Sequence, residues 1–153
     1  MSVAANLTPD QSQQVIYNAA RNNGLPDAIS KIITAQSGHE TGGWDSNVYL
    51  TDNNAFGYGY DGAGNYYAYN SVEDSVQDVV GWLSRHVPNF QTITDPDVYA
   101  QSLKNSGYYG DTETNYAAGI ERWFNDNLTY TTAGIGVAAI VGIILLFIVF
   151  RKN

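Results

Sequence analysis

The sequence predicts an α+β fold: a mainly helical domain with a small β-hairpin lobe, followed by one C-terminal transmembrane helix. Three observations carry that expectation. Apolar residues recur at helical spacing, behind residues suited to helix N-caps, between positions 8 and 124. Residues 44–70 break that pattern with a stretch rich in Gly, Asn and Tyr. Residues 133–150 then form an unbroken apolar run.

Each element follows from its own signals. Thr8 stands where an N-cap is wanted, Pro9 takes the first helical position, and Val15, Ile16, Ala19 and Ala20 make one stripe before Gly24. Pro26 opens a second helix carrying Ile29, Ile32, Ile33 and Gln36, and Gly42-Gly43 is expected to stop it. Next, Tyr58-Gly-Tyr60 and Tyr66-Tyr67-Ala-Tyr69 flank Asp61-Gly-Ala-Gly-Asn65, which reads as two short strands around a loose turn. Ser71-Val-Glu-Asp74 is a variant capping box, with Asp where Glu or Gln is usual, before a helix whose Val76, Val79, Val80 and Leu83 share a face. Asp95-Pro96 starts another helix, with Val98, Tyr99 and Leu103, that ends at Gly107. A last helix is expected from about Asn115, carrying Ile120, Trp123 and Phe124.

The run Ala133–Phe150 holds no charge and no strong hydrogen-bonding side chain. At about 1.5 Å per residue it spans roughly 27 Å, close to a bilayer core. Arg151-Lys152 follow, which places that end on the cytoplasmic side of a cell membrane. Residues 1–130 contain all 15 acids and five of the seven bases, so the charge there is −10 against +2 in the tail. The expected division is therefore 1–130 as the working domain and 131–153 as a membrane anchor with a short basic end. The N-terminus shows neither a basic region nor an apolar core of a signal peptide, so the anchor is expected to serve as targeting signal too. Gly134, Ala138 and Gly142 lie on one face of it, a spacing that permits close helix contact and self-association.

Composition excludes several function classes. A net charge of −8 leaves no basic stripe for a nucleic-acid backbone. With no Cys, thiolate metal sites and Cys nucleophiles are out. His39-Glu40 suggests a zinc-protease motif, yet position 43 is Gly where the second His is required. Asp61-Gly-Ala-Gly-Asn65 lacks the spaced acids and closing Glu of a calcium loop. No metal and no cofactor are expected.

Glu40 is the residue with chemical promise. It is expected at the C-terminal end of the second helix, where the dipole disfavours a negative charge and holds the carboxyl protonated. Burial beside Trp44 acts in the same direction. A carboxylic acid still protonated near neutral pH is what glycosidic cleavage requires, to protonate the departing oxygen. The surroundings suit a sugar. Tyr49, Tyr58, Tyr60, Tyr66, Tyr67 and Tyr69 offer flat aromatic faces, and Asn53 and Asn54 offer amides for hydroxyl and acetamido groups.

In chain order these residues form Glu40-Thr-Gly-Gly-Trp44, Asn53-Asn-Ala-Phe-Gly57, Tyr69-x-Ser71-x-x-x-Ser75, and Gly107-Tyr-Tyr-Gly-Asp111 followed by Tyr116-Ala117. The series resembles the peptidoglycan glucosaminidases of glycoside hydrolase family 73, within the lysozyme-like superfamily, over roughly residues 10–125. That family's pattern is Glu-Ser-Gly-Trp-Gly, Asn-Asn-Leu-Phe-Gly, Tyr-x-Ser, then Gly-Tyr-Ala-Thr-Asp with a following Tyr-Ala. The resemblance implies that Glu40 is the general acid, that Asn54, Phe56 and Gly57 shape the groove floor, and that Tyr108 stands beside the bond being cleaved. It also implies a substrate-side role for Tyr116, although two extra residues precede it. Gly43 widens the first motif by one residue, and Tyr109-Gly110 replace Ala-Thr.

A second carboxylate is left open. Asp52, near the Asn-Asn turn, is preferred over Asp61, whose place in a Gly-rich turn suits turn geometry. Without either, the substrate's acetamido group or its 6-hydroxyl supplies the nucleophile. The expected protein is thus a membrane-anchored enzyme that cuts the β-1,4 glycan strand of peptidoglycan, as glucosaminidase, muramidase or lytic transglycosylase. Glu40, Tyr108 and Asp52 are its candidate catalytic residues. Trp44, Asn53, Asn54, Phe56, Tyr58, Tyr60, Tyr69 and Tyr116 are its candidate substrate contacts. Its partners are glycan strands and a lipid bilayer, in the internal membrane of a phage virion or in a bacterial envelope. The alternative is an inactive glycan-binding or structural protein of the same membrane.

Overall fold

The computed structural model describes residues 1–127. Six α-helices are present among them: α1 (Pro9–Asn22), α2 (Asp27–Glu40), α3 (Asn47–Asp52), α4 (Val72–His86), α5 (Pro96–Asn105) and α6 (Glu113–Arg122). α6 continues into a π-helical turn, Trp123–Asn127. The expected membrane anchor at residues 133–150 lies outside the described residues, as does the domain division at 130–131. Among the described residues, no helix is long and apolar enough to cross a membrane.

Capping chemistry sets most helix starts. Thr8 and Gln11 close a full capping box on α1, each side chain bonding the other's backbone N–H. At α4 only half of the box forms, because Ser71 accepts from the Asp74 amide and no bond returns from the Asp side chain. Asp95 caps α5 through the amides of Asp97 and Val98. Thr112 caps α6, which begins two residues before the position expected from sequence.

α2 is the centre of the domain. α1 packs across α2 and α4, while α6 packs on α2 and on α5. Ile29, Ile32, Ile33 and Ala35 are fully buried in α2, and so are Ser30, Thr34, Gln36 and Ser37. A helix enclosed on every side must satisfy its polar groups internally. Ser30 and Thr34 do so by donating to carbonyls one turn back, 2.8 Å each. Gln36 and Ser37 instead reach neighbouring elements, and these two bonds set up the site.

The β-hairpin expected over residues 58–69 is not formed as strands. The chain does turn back on itself, but only two backbone bonds cross it, Tyr67 N–H to Tyr58 C=O (3.2 Å) and Asp61 N–H to Asn65 C=O (3.0 Å). The segment takes left-handed backbone at three glycines, Gly59, Gly62 and Gly64, and at Gly59 an added Cβ would come within 2.3 Å of the Tyr67 ring. Such backbone cannot extend a ladder. Among the described residues there is no strand, so the domain is helical with an irregular lobe.

Candidate active site

Glu40 is the last residue of α2, and the chain leaves the helix through a tight reversal. Gly42 and Gly43 have φ of 61° and 87°, a conformation that costs glycine little, and Trp44 follows at φ 64°. Trp44 can hold that conformation because it is tied on both sides. Its amide donates to Thr41 Oγ1 (2.9 Å) and its indole Nε1–H to Ser37 Oγ (3.0 Å). The Trp123 indole covers the reversal. A Cβ at Gly38 would meet that ring at 2.8 Å and one at Gly43 at 3.0 Å, so both glycines are the seat of Trp123.

Glu40 is partly buried, and burial pushes its carboxyl up to about 6, opposed by a hydrogen bond donated from Tyr116 Oη to Glu40 Oε1. Behind that bond runs a buried chain. Tyr99 Oη donates to Gln36 Oε1 (2.7 Å), and Gln36 Nε2–H donates to Tyr116 Oη (3.1 Å). Tyr109 lies flat on Tyr116 with ring centroids 3.8 Å apart, and His39 meets Tyr116 edge-on at 5.2 Å. Burial holds the His39 imidazolium below its usual range, against a smaller opposing pull from Asp111.

The facing wall is the turn at residues 53–57 and the irregular lobe. Ser37 Oγ donates to the Ala55 carbonyl (2.7 Å), and the Ala55 amide donates to Ser75 Oγ (3.2 Å), so α2 and α4 grip the turn from opposite sides. Asn54 has no exposed surface and makes four bonds. Its Nδ2 donates to the Tyr58 and Tyr67 carbonyls (2.9 and 2.8 Å), and its Oδ1 accepts from the Phe56 and Tyr58 amides (3.3 and 3.1 Å). One side-chain amide thus replaces the missing ladder.

Between the walls is a groove of about 380 Å³. It is lined by Glu40, by Phe56-Gly-Tyr-Gly-Tyr60 and Tyr67 of the turn and lobe, and by Tyr108 and Tyr109. Glu40 is the one carboxylate among these lining residues. Tyr58 and Tyr108 are near-parallel, 9° between planes with centroids 6.3 Å apart. The Tyr108 hydroxyl is buried and has no hydrogen-bond partner. Burial, and then the nearby Glu40, push that phenol well above its ordinary value, so it keeps its proton. Tyr60 and Tyr67 are more than half exposed, which leaves open aromatic surface at the mouth.

Of the residues expected from sequence, Glu40, Phe56, Gly57, Tyr58, Tyr60, Tyr67 and Tyr108 meet in this groove, and the others do not line it. Trp44 is 3% exposed and packs edge-on against Trp123. Asn53 accepts from the Ala4 amide and donates to the Tyr69 carbonyl, so its amide is committed to the fold, as is that of Asn54. Tyr69 Oη donates to Asp78 (2.8 Å), on the far side of the lobe's attachment to α4. Tyr116 is buried behind Glu40 and faces it from within. Asp52 ends α3 and its carbonyl holds the Tyr69 amide, but its side chain does not line the groove. Asp61 is exposed and closes its own turn through the Ala63 and Asn65 amides.

Tyr109 lines the groove without having been chosen from sequence. Tyr109 carried a signal, its place beside Tyr108 in Gly107-Tyr-Tyr-Gly110. Gln36 and Tyr99 carried none, being 63 residues apart and joined only by the packing of α5 near α2. Among the described residues, no cluster of three or more His, Asp or Glu is placed to hold a metal ion.

A family model for glucosaminidases, described as mannosyl-glycoprotein endo-β-N-acetylglucosaminidase, matches residues 13–129. No curated protein and no solved structure matches the chain.

Proposed function

The chain belongs to the glucosaminidase family, and from that premise we propose that it cleaves the β-1,4 glycan strand of peptidoglycan with Glu40 as general acid. The observation that carries this reading is the Glu40 carboxyl, raised to about 6 by burial at the edge of an aromatic groove. A neutral carboxyl donates its proton to the glycosidic oxygen as the bond from that oxygen to the anomeric carbon breaks. Positive charge develops on the sugar ring. The aromatic rings of Tyr58 and Tyr108, both of which line the groove, are suited to hold the sugar ring there.

The step that follows needs a nucleophile. With Glu40 the one carboxylate among the lining residues, we favour a nucleophile supplied by the substrate. The acetamido oxygen attacking the anomeric carbon gives an oxazolinium ion, which water opens while Glu40 takes the water's proton. Attack by the 6-hydroxyl gives a 1,6-anhydro end instead, its proton passing to Glu40. Water activated by Asp52 is the remaining route, and it requires the Asp52 side chain to reach the groove on substrate binding.

The test uses the full chain and its Glu40→Gln variant, each incubated with purified peptidoglycan and, separately, with a high-mannose glycoprotein. Released fragments are weighed by mass spectrometry. Cleavage of peptidoglycan that is lost in E40Q supports the proposal, and the new ends name the bond: reducing N-acetylglucosamine, reducing N-acetylmuramic acid or anhydro-muramoyl. Release of glycans from the glycoprotein alone moves the substrate to that class. If the unaltered chain binds peptidoglycan and cuts nothing, the groove belongs to a binding protein, the reading that a lone carboxylate also favours.

We also propose that residues 133–150 anchor this domain in a membrane, on the strength of their uncharged apolar run and the following Arg151-Lys152. The setting that suits a wall-cutting domain on such an anchor is a virion with an internal lipid membrane, or a bacterial envelope. Co-flotation of the chain with lipid, abolished by Ile144→Lys and Phe147→Lys together, supports the anchor. Recovery from purified lipid-containing particles supports the virion.

A further inference from the structure

The buried polar chain behind Glu40 has a direction, and the direction has a chemical consequence. Tyr99, Gln36 and Tyr116 are all at most 4% exposed, so each must spend its hydrogen-bonding groups on its neighbours. Tyr99 Oη donates to Gln36 Oε1, which turns the amide so that Nε2–H points to Tyr116. Tyr116 Oη therefore accepts from Gln36, and its own proton goes to Glu40 Oε1.

A neutral Glu40 has two ways to sit beside Tyr116. In one, Tyr116 donates to Oε1 and the acid proton is on Oε2. In the other, the acid proton is on Oε1 and is given to Tyr116 Oη, whose own proton must then find an acceptor in Gln36. The second arrangement needs the Gln36 carbonyl where the structure has the Gln36 amide N–H.

We propose that Tyr99 and Gln36 are positioning residues for the general acid: by fixing the amide of Gln36 they keep the Tyr116 proton on Glu40 Oε1 and so hold the catalytic proton on Oε2. This rests on the reading of Glu40 as the acid that protonates the glycosidic oxygen. Neither residue touches substrate, since both are enclosed behind Glu40 and neither lines the groove. The titratable groups facing the carboxyl are phenols: Tyr116 from α6, Tyr99 from α5 and Tyr108 from the loop after α5, with the His39 ring against Tyr116. The hydroxyl of Tyr116 stabilises the charged carboxylate, which is why it opposes the upward push of burial on Glu40.

The decisive variant is Tyr99→Phe, which removes one oxygen two links away from Glu40. The Gln36 amide is then free to turn, the second arrangement becomes available, and the neutral acid is favoured. Glu40 is one of four glutamates, with Glu73, Glu113 and Glu121, so ¹³C-carboxyl labelling of the full chain gives four signals that E40Q assigns. The expected result is a Glu40 midpoint raised by about half a unit or more in Y99F. On the glycan strand, kcat is expected to fall about three- to tenfold with KM unchanged, since binding is untouched and a fraction of the acid points its proton inward. Tyr116→Phe breaks the last link, and the double variant is expected to match Tyr116→Phe alone, because Tyr99 acts only through it.

A Glu40 midpoint unmoved in Y99F overturns the proposal, and so does a double variant whose shift is the sum of the two single ones. A merely structural role for Tyr99 would lower stability and leave the midpoint where it is. If the unaltered chain cuts no glycan, the enzyme reading fails, while the NMR midpoints still decide whether the chain directs the proton.

Discussion

The His39 imidazole lies directly against Gly119, so close that a Cβ built on Gly119 would fall 2.3 Å from ring atoms. Helix propensity alone favours Gly119→Ala, by about 1 kcal/mol, since Gly119 is in the interior of α6. Overpacking a rigid ring opposes it by about 1–3 kcal/mol. The His39 ring, on α2, also meets Tyr116 edge-on, so giving way would disturb that contact. The expected outcome is net destabilisation of up to about 2 kcal/mol, read as a lower urea midpoint. A higher midpoint would show that the ring gives way.

Burial of Glu40 has a cost that depends on pH. Its carboxyl is near 6 in the fold against 4.5 for an ordinary glutamate, so the folded state binds this proton more tightly. The stability contributed is complete below about 4.5 and is lost as pH rises through about 6. The shift corresponds to at most about 2 kcal/mol. Glu40→Gln keeps the shape and the Tyr116 hydrogen bond but never ionises. E40Q is therefore expected to be more stable than the unaltered chain at pH 8, by up to about 2 kcal/mol, and equal to it at pH 4. Urea titrations at the two pH values decide the point.

On the proposed reading, the same carboxyl sets the pH dependence of cleavage. An acid must be protonated to act, so kcat/KM on soluble glycan fragments is expected to fall about tenfold per pH unit above about 6. A profile flat from pH 5 to 8 would mean that Glu40 does not donate the proton in the rate-limiting step.

Asn54 holds the lobe to the turn through four hydrogen bonds. Asn54→Ala is expected to cost about 2–4 kcal/mol, because it strands several backbone groups at once. The loss is local. Hydrogen exchange is expected to rise in residues 56–68 well before it rises in α1 or α4.

Tyr60 is 58% exposed and its loss leaves no cavity. Tyr60→Ala is expected to raise KM for long glycan strands several-fold while the unfolding free energy from urea titration stays within about 0.5 kcal/mol of its starting value. A change in kcat with constant KM would place Tyr60 outside the binding surface.

Much of the helical frame was legible because caps are local. Thr8, Ser71 and Asp95 mark helix starts within a few residues of the groups they bond, and Gly24 and Gly107 mark ends. α3 was missed: it is a six-residue helix with Val48 and Thr51, capped by Ser46, inside a stretch whose composition resembles a loop. The lobe was expected as strands because alternating aromatics have the same period there as in a ladder. What distinguishes the two is left-handed glycine backbone, and glycine in sequence does not announce its φ. Asn53, Asn54 and Trp44 looked like sugar contacts by residue type. Their polar groups are needed instead by a loop without a ladder, a demand that exists only once the loop is folded. Glu40 was legible from its position at a helix end. The buried hydrogen-bonded chain behind it was not, since Gln36, Tyr99 and Tyr116 meet only through tertiary packing.

The tip of the lobe is a self-contained clasp. Asp61 bonds the Ala63 amide, the Asn65 amide and the Asn65 side chain, so the five residues 61–65 are fastened to one another and to little else. Everything that positions Glu40 lies on the other side of Asn54. The clasp is therefore a natural splice point: a longer segment grafted between Asp61 and Asn65 would extend one bank of the groove along the polymer without disturbing the proton donor. Reach along the glycan and chemistry at its bond are, in this architecture, separately adjustable.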